Sequence, residues 1–140
     1  MSDLTAEWIS MTQAQTSKRA PFTIERKEGN SQDTVIFHLS GPFTARDMYE
    51  SLPPANLRAM LAFQSTPGEQ PPALNILDLT SVPYVDSSGL GILVSHHVHC
   101  SNHGIRLLIA GASPRALELF RLTRVDGFLP LVATLEEALA

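Results

Sequence analysis

Leu77-Asp78-Leu79-Thr80-Ser81-Val82-Pro83-Tyr84-Val85-Asp86-Ser87-Ser88-Gly89-Leu90-Gly91 is the stretch on which the fold turns. Leu77 lies in an apolar run, Ala73 to Leu79, that is hydrophobic on both faces, as in a strand covered on each side. A loop follows, and the pattern predicts a helix opening at Asp86-Ser87-Ser88-Gly89, with room for about four or five turns before His103. A buried strand feeding a helix is the unit of an open α/β sheet. Such sheets gather ligands outside the carboxyl ends of their strands. The helix N-terminus exposes free N–H groups and the positive end of a dipole, which suits an anionic group, a phosphoserine included. The spacing also admits a plainer role, in which Asp86 or Ser87 is only an N-cap and Gly89 and Gly91 only allow close packing.

Working outward, Ile105 to Ala110 is a second two-sided apolar run. Upstream, Phe22 to Arg26 alternates apolar and polar, and Thr34 to Leu39 is rich in β-branched and aromatic residues. With the turn-rich segment 28–33 between them, the two predict a hairpin. Thr44 is placed to cap a helix from Ala45 that Pro53-Pro54 must interrupt, because proline lacks the donor and clashes with the preceding turn. Leu57, Met60 and Leu61 restart an apolar face, and 65–72 reads as a loop. Ser113-Pro114 opens a further helix, Phe128 to Val132 offers a short edge strand, and Thr134-x-x-Glu137 is a capping box for a last helix. The reading is an α/β domain over 21–140, a mixed sheet of about five strands with about four helices. Residues 1–20 form an N-terminal extension, with Leu4, Trp8 and Met11 spaced for one side of a short helix.

The chain of 140 residues can bury roughly two-thirds of its unfolded surface, enough for one domain with a core. Ten Lys and Arg against fourteen Asp and Glu give a net charge of −4, with no basic stripe, which argues against nucleic-acid binding. Cys100 is the single cysteine, so neither a disulfide framework nor a Cys-pair metal site is expected. The absence of a long apolar stretch or a signal-like N-terminus predicts a cytoplasmic protein with no membrane insertion.

His96, His97, His99, Cys100 and His103 crowd one helix. Setting Leu90, Val94, His97 and Ser101 inward leaves His96, His99, Cys100 and His103 on an outer polar face. The spacing suits zinc ligands, but no carboxylate or second element joins them, so no metal is expected and a partner-facing surface is preferred. A serine hydrolase would need a Gly-x-Ser-x-Gly elbow, and the local string is Val85-Asp86-Ser87-Ser88-Gly89. No phosphate-cradling Gly-x-x-x-x-Gly-Lys loop occurs either, so the chain is not expected to be an enzyme or to carry a cofactor.

From Phe22 to Leu139 the chain resembles the STAS domains of bacterial anti-sigma factor antagonists. The resemblance rests on Asp78-Leu79-Thr80-x-Val82-x-Tyr84-Val85-Asp86-Ser87-Ser88-Gly89-Leu90-Gly91-Ile92-Leu93, then Gly104 to Leu107, Ser113 to Phe120, and Leu135 to Leu139. It implies a mixed sheet with helices largely on one face. It implies phosphorylation at Ser87, or less favourably Ser88, by an anti-sigma factor serine kinase that supplies ATP and Mg²⁺. The unphosphorylated form would bind that kinase and release the sigma factor, and a phosphatase would reset the switch. The implied contact surface takes in Thr44, Asp86, Ser87, Ser88, Gly89, Ile92, His96 and His99, and a homodimer is compatible. Where the family commonly has Gly-x-Leu-Asp after the second strand, this chain has Gly41-Pro42-Phe43-Thr44. The alternative within the resemblance is an unphosphorylated adaptor docking on a transporter or signalling complex.

Overall fold

The computed structural model describes residues 21–29, 33–64 and 67–140. The extension 1–20 and its expected helix lie outside the described residues. A five-stranded sheet runs in the order β1 (Thr23–Glu28), β2 (Thr34–Ser40), β3 (Leu74–Ser81), β4 (Arg106–Ala110), β5 (Leu131–Val132). β1 and β2 form the expected antiparallel hairpin, and β2, β3, β4 and β5 are mutually parallel. β1 is an edge strand, and its mostly exposed Glu25, Arg26, Lys27 and Glu28 discourage further strand pairing. β2 and β3 are buried on both faces, as their apolar runs require.

The parallel connections are α1 (Ala45–Ser51) with α2 (Pro54–Leu61), then α3 (Ser87–Asn102), then α4 (Pro114–Leu122). Pro53-Pro54 separates α1 from α2, and Pro54 occupies the first position of α2, where its missing N–H costs nothing. All these helices cover one sheet face: Met48, Leu57, Leu61, Ile92, Leu93 and Phe120 pack with Phe37, Leu39, Leu77, Leu79 and Ile109. Among the described residues α5 (Leu135–Leu139) alone crosses to the other face, where Ala138 meets Ile36, Ile76 and Ala110. The mixed sheet with helices largely on one face is thus the architecture of the molecule.

The rotation of α3 corrects the expected polar outer face. Gly89, Leu90, Ile92, Leu93, His96 and Cys100 are the buried residues of α3, while Val94 and His97 are half-buried and Ser101 is exposed. His96, only 4% exposed, and Cys100 therefore point inward, although His99 is half-buried and His103 exposed. Burying an imidazole without a partner is costly. Here Asn75 on β3 supplies one, with His96 Nε2 at 2.6 Å from Asn75 Oδ1 and Asn75 Nδ2 donating to the Val35 carbonyl at 3.0 Å. Burial pushes the His96 pKa down to about 4, with the charges of His99 and His97 adding to the effect. Burial likewise pushes the Cys100 thiol up to about 11.

Candidate functional site

Because β2, β3 and β4 are parallel, their carboxyl ends share one edge of the sheet, and each leads into a helix N-terminus. The loop between β3 and α3 is the meeting point. Phe43 and Val85 form an isolated parallel bridge, with Phe43 N donating to the Tyr84 carbonyl at 3.0 Å and Asp86 N to the Phe43 carbonyl at 3.2 Å. Phe43 is held from beneath by Phe22, their rings stacked with centroids 4.9 Å apart.

Asp86 is the N-cap of α3, as one of the two cap readings has it. Its Oδ1 accepts from Gly89 N at 2.9 Å, and its Oδ2 accepts from Ala45 N, in the first turn of α1, at 3.1 Å. One carboxylate therefore satisfies orphan donors of two helices. Thr44 caps α1: its hydroxyl accepts from Asp47 N at 3.2 Å and donates to the Asp47 carboxylate. Ser113 caps α4, accepting from Ala116 N at 3.1 Å while donating to the Pro83 carbonyl at 3.0 Å. The Arg115 guanidinium lies over the Tyr84 ring, 4.6 Å from its centroid. These caps tie the starts of α1, α3 and α4 to loop 82–86.

Ser87 follows Asp86 as the first residue of α3 and is exposed. Ser88 is exposed as well. Neither hydroxyl has a hydrogen bond among the described residues. Gly89 is buried for a steric reason: a Cβ there would sit 2.3 Å from the Phe43 carbonyl oxygen and 2.8 Å from Val85 Cγ1. Gly91 has open space around it, so the close-packing reading holds for Gly89 and not for Gly91.

The residues expected to form one surface separate into two sets. Asp86, Ser87, Ser88 and His99 are at least partly open to solvent. Thr44, Gly89, Ile92 and His96 are buried, and they hold the surface in place from below. Asp78 and Thr80, also in the signature, serve the opposite face of β3. Burial alone would raise the Asp78 carboxyl, but the Thr80 hydroxyl and N–H and the neighbouring His38 ring hold it below its ordinary value. Sequence reading missed the bonds from Ala45 N to Asp86 and from His96 to Asn75. The polar Asn75 inside a strand buried on both faces was the available signal for the second, since a buried amide needs partners.

The STAS domain family model matches residues 23–138. Among solved structures, the chain is similar to an anti-sigma factor antagonist from Mycobacterium paratuberculosis, with a TM-score of 0.63, 20% identity, and coverage of 84% of this chain and 91% of that one. It is similar to the Bacillus cell fate determinant SpoIIAA in its phosphorylated form, at a TM-score of 0.55 and 21% identity, covering 84% of this chain and 95% of that one. It is similar also to a SulP transporter STAS domain from Vibrio cholerae, at 0.61 and 21%, covering 79% and 81% respectively. At these identities the likeness is one of fold.

Proposed function

The chain belongs to the STAS domain family, and from that premise we propose that it is an anti-sigma factor antagonist switched by phosphorylation of Ser87. The observation that carries the reading is the Ser87 side chain itself. It is an exposed hydroxyl without an internal partner at the first position of a 16-residue helix, beside an Asp86 whose two oxygens are already engaged.

In its unphosphorylated form the surface around Ser87 and Ser88 binds an anti-sigma factor serine kinase, which then releases its sigma factor. The exposed residues Gly91 and Ser95 continue that surface along α3 without bulk. The kinase, with its own ATP and Mg²⁺, transfers the γ-phosphoryl group to Ser87 Oγ. The hydroxyl proton leaves to a base of the kinase, and ADP departs. The product carries about −1.5 to −2 charges at this point. In the free protein that charge stands in water over the N–H groups of α3 and is tolerated. In a complex it would be desolvated next to Asp86, and the interface fails. A phosphatase removing the group restores binding. Thr44, Gly89, Ile92 and His96 act as supports of the surface.

The test is incubation with the cognate kinase and ATP, followed by mass mapping. The expected result is a gain of one phosphoryl group on the peptide holding Ser87, lost in Ser87→Ala. Absence of any gain would move the function to an unphosphorylated adaptor of a transporter or signalling complex, and a gain that persists in Ser87→Ala would move the switch to another hydroxyl, Ser88 first.

A further inference from the structure

A second concave site lies between α2 and α3, independent of the reading of Ser87. Ser95, which lines it, is roughly 12 Å along α3 from Ser87, at about 1.5 Å per residue. The cleft has a volume of about 340 Å³, within the size range of small-molecule sites. Ile92 and Leu61 give it an apolar floor, and Arg58, Gln64 and Ser95 stand exposed at its rim. His99 on α3 and Ala62 at the end of α2 make one wall.

His96 also lines this cleft, and its hydrogen bonds define what it offers. Asn75 Nδ2 is committed to the Val35 carbonyl, so Asn75 Oδ1 is the atom facing His96 Nε2. A carbonyl oxygen accepts, so the imidazole proton sits on Nε2 and Nδ1 keeps a free lone pair. Nδ1 has no hydrogen bond among the described residues. The ring is almost wholly buried, and the residue lines the cleft. At the rim, the Arg58 guanidinium makes no ion pair with any described residue.

The cleft thus combines an unpartnered acceptor on a lining ring, an apolar floor and, at its mouth, a cation with no ion pair among the described residues. An acceptor-only group would face the Nδ1 lone pair, whereas a hydroxyl would satisfy it. An anionic end would meet Arg58. We propose that the cleft between α2 and α3 binds a small hydroxylated monocarboxylate, with its hydroxyl donating to His96 Nδ1, its apolar body on Ile92 and Leu61, and its carboxylate on Arg58.

The test uses the full chain with ¹⁵N-labelled histidine and three probes. These are 4-hydroxybenzoate, benzoate, which lacks the donor, and 4-hydroxybenzyl alcohol, which lacks the anion. The account expects 4-hydroxybenzoate to move the His96 Nδ1 resonance saturably, with benzoate and the alcohol each binding about tenfold or more weakly. Arg58→Gln, at an exposed position, should weaken 4-hydroxybenzoate by about tenfold and leave the alcohol unchanged. No saturable shift at His96 for any probe, or equal binding of all three, would overturn the assignment. So would an Arg58→Gln protein that binds 4-hydroxybenzoate like the parent.

Discussion

Gly89 and Gly91 stand two residues apart on α3 and meet opposite surroundings. A methyl group at 89 collides with the Phe43 carbonyl and Val85, so Gly89→Ala must push α3 off loop 41–44 and stretch the bonds of Asp86. The expected loss is about 1–3 kcal/mol or more, as for other overpacked sites. A methyl group at 91 meets nothing within 4 Å, in an exposed helical position. Gly91→Ala should therefore stabilise by about 0.5–1 kcal/mol through the better helix propensity of alanine. Urea unfolding of the two variants checks both, and the opposite signs are the discriminating result. Asp86→Ala strips a donor partner from each of α1 and α3, and should cost about 1–2 kcal/mol by the same measurement.

Elements differed in how far the residue order determined them. The hairpin, the Pro53-Pro54 break, the two-sided runs ending in Leu79 and Ala110, and the caps Thr44, Ser113 and Thr134 were legible because each depends on neighbours in the chain. The place of Ser87 at the opening of α3 was legible for the same reason. The rotation of α3 was not, because it is set by a partner 21 residues away, Asn75, which turns a polar side chain inward. That partnership has a pH signature. Burial depresses the His96 pKa from its ordinary 6.5 to about 4, so between those values the unfolded chain binds the extra proton and the folded one does not. Stability therefore falls as pH drops through this window, by about 2–3 kcal/mol near pH 4.5. His96→Gln keeps a group able to bond Asn75 but cannot titrate. Its stability should be less acid-sensitive than the parent's by that amount, in urea unfolding at pH 7 and pH 4.5. Identical pH slopes would contradict the assignment.

At the scale of the whole molecule, three parallel strands deliver three capped helix starts to one edge, and hydrogen bonds lace them to loop 82–86. Ser87 therefore sits on a rigid platform, and a charge placed there alters the surface without unfolding what lies beneath. Removing its hydroxyl breaks no hydrogen bond among the described residues, so Ser87→Ala and Ser87→Asp should both melt close to the parent. The central claim is then tested by titrating the unmodified protein, Ser87→Ala and Ser87→Asp against the candidate anti-sigma factor kinase. The account predicts that Ser87→Ala binds like the parent and resists release on addition of ATP. Ser87→Asp should bind about 30- to 1,000-fold more weakly, the equivalent of about 2–4 kcal/mol for a charge desolvated beside Asp86. Equal affinities for all three proteins, with unchanged melts, would contradict it.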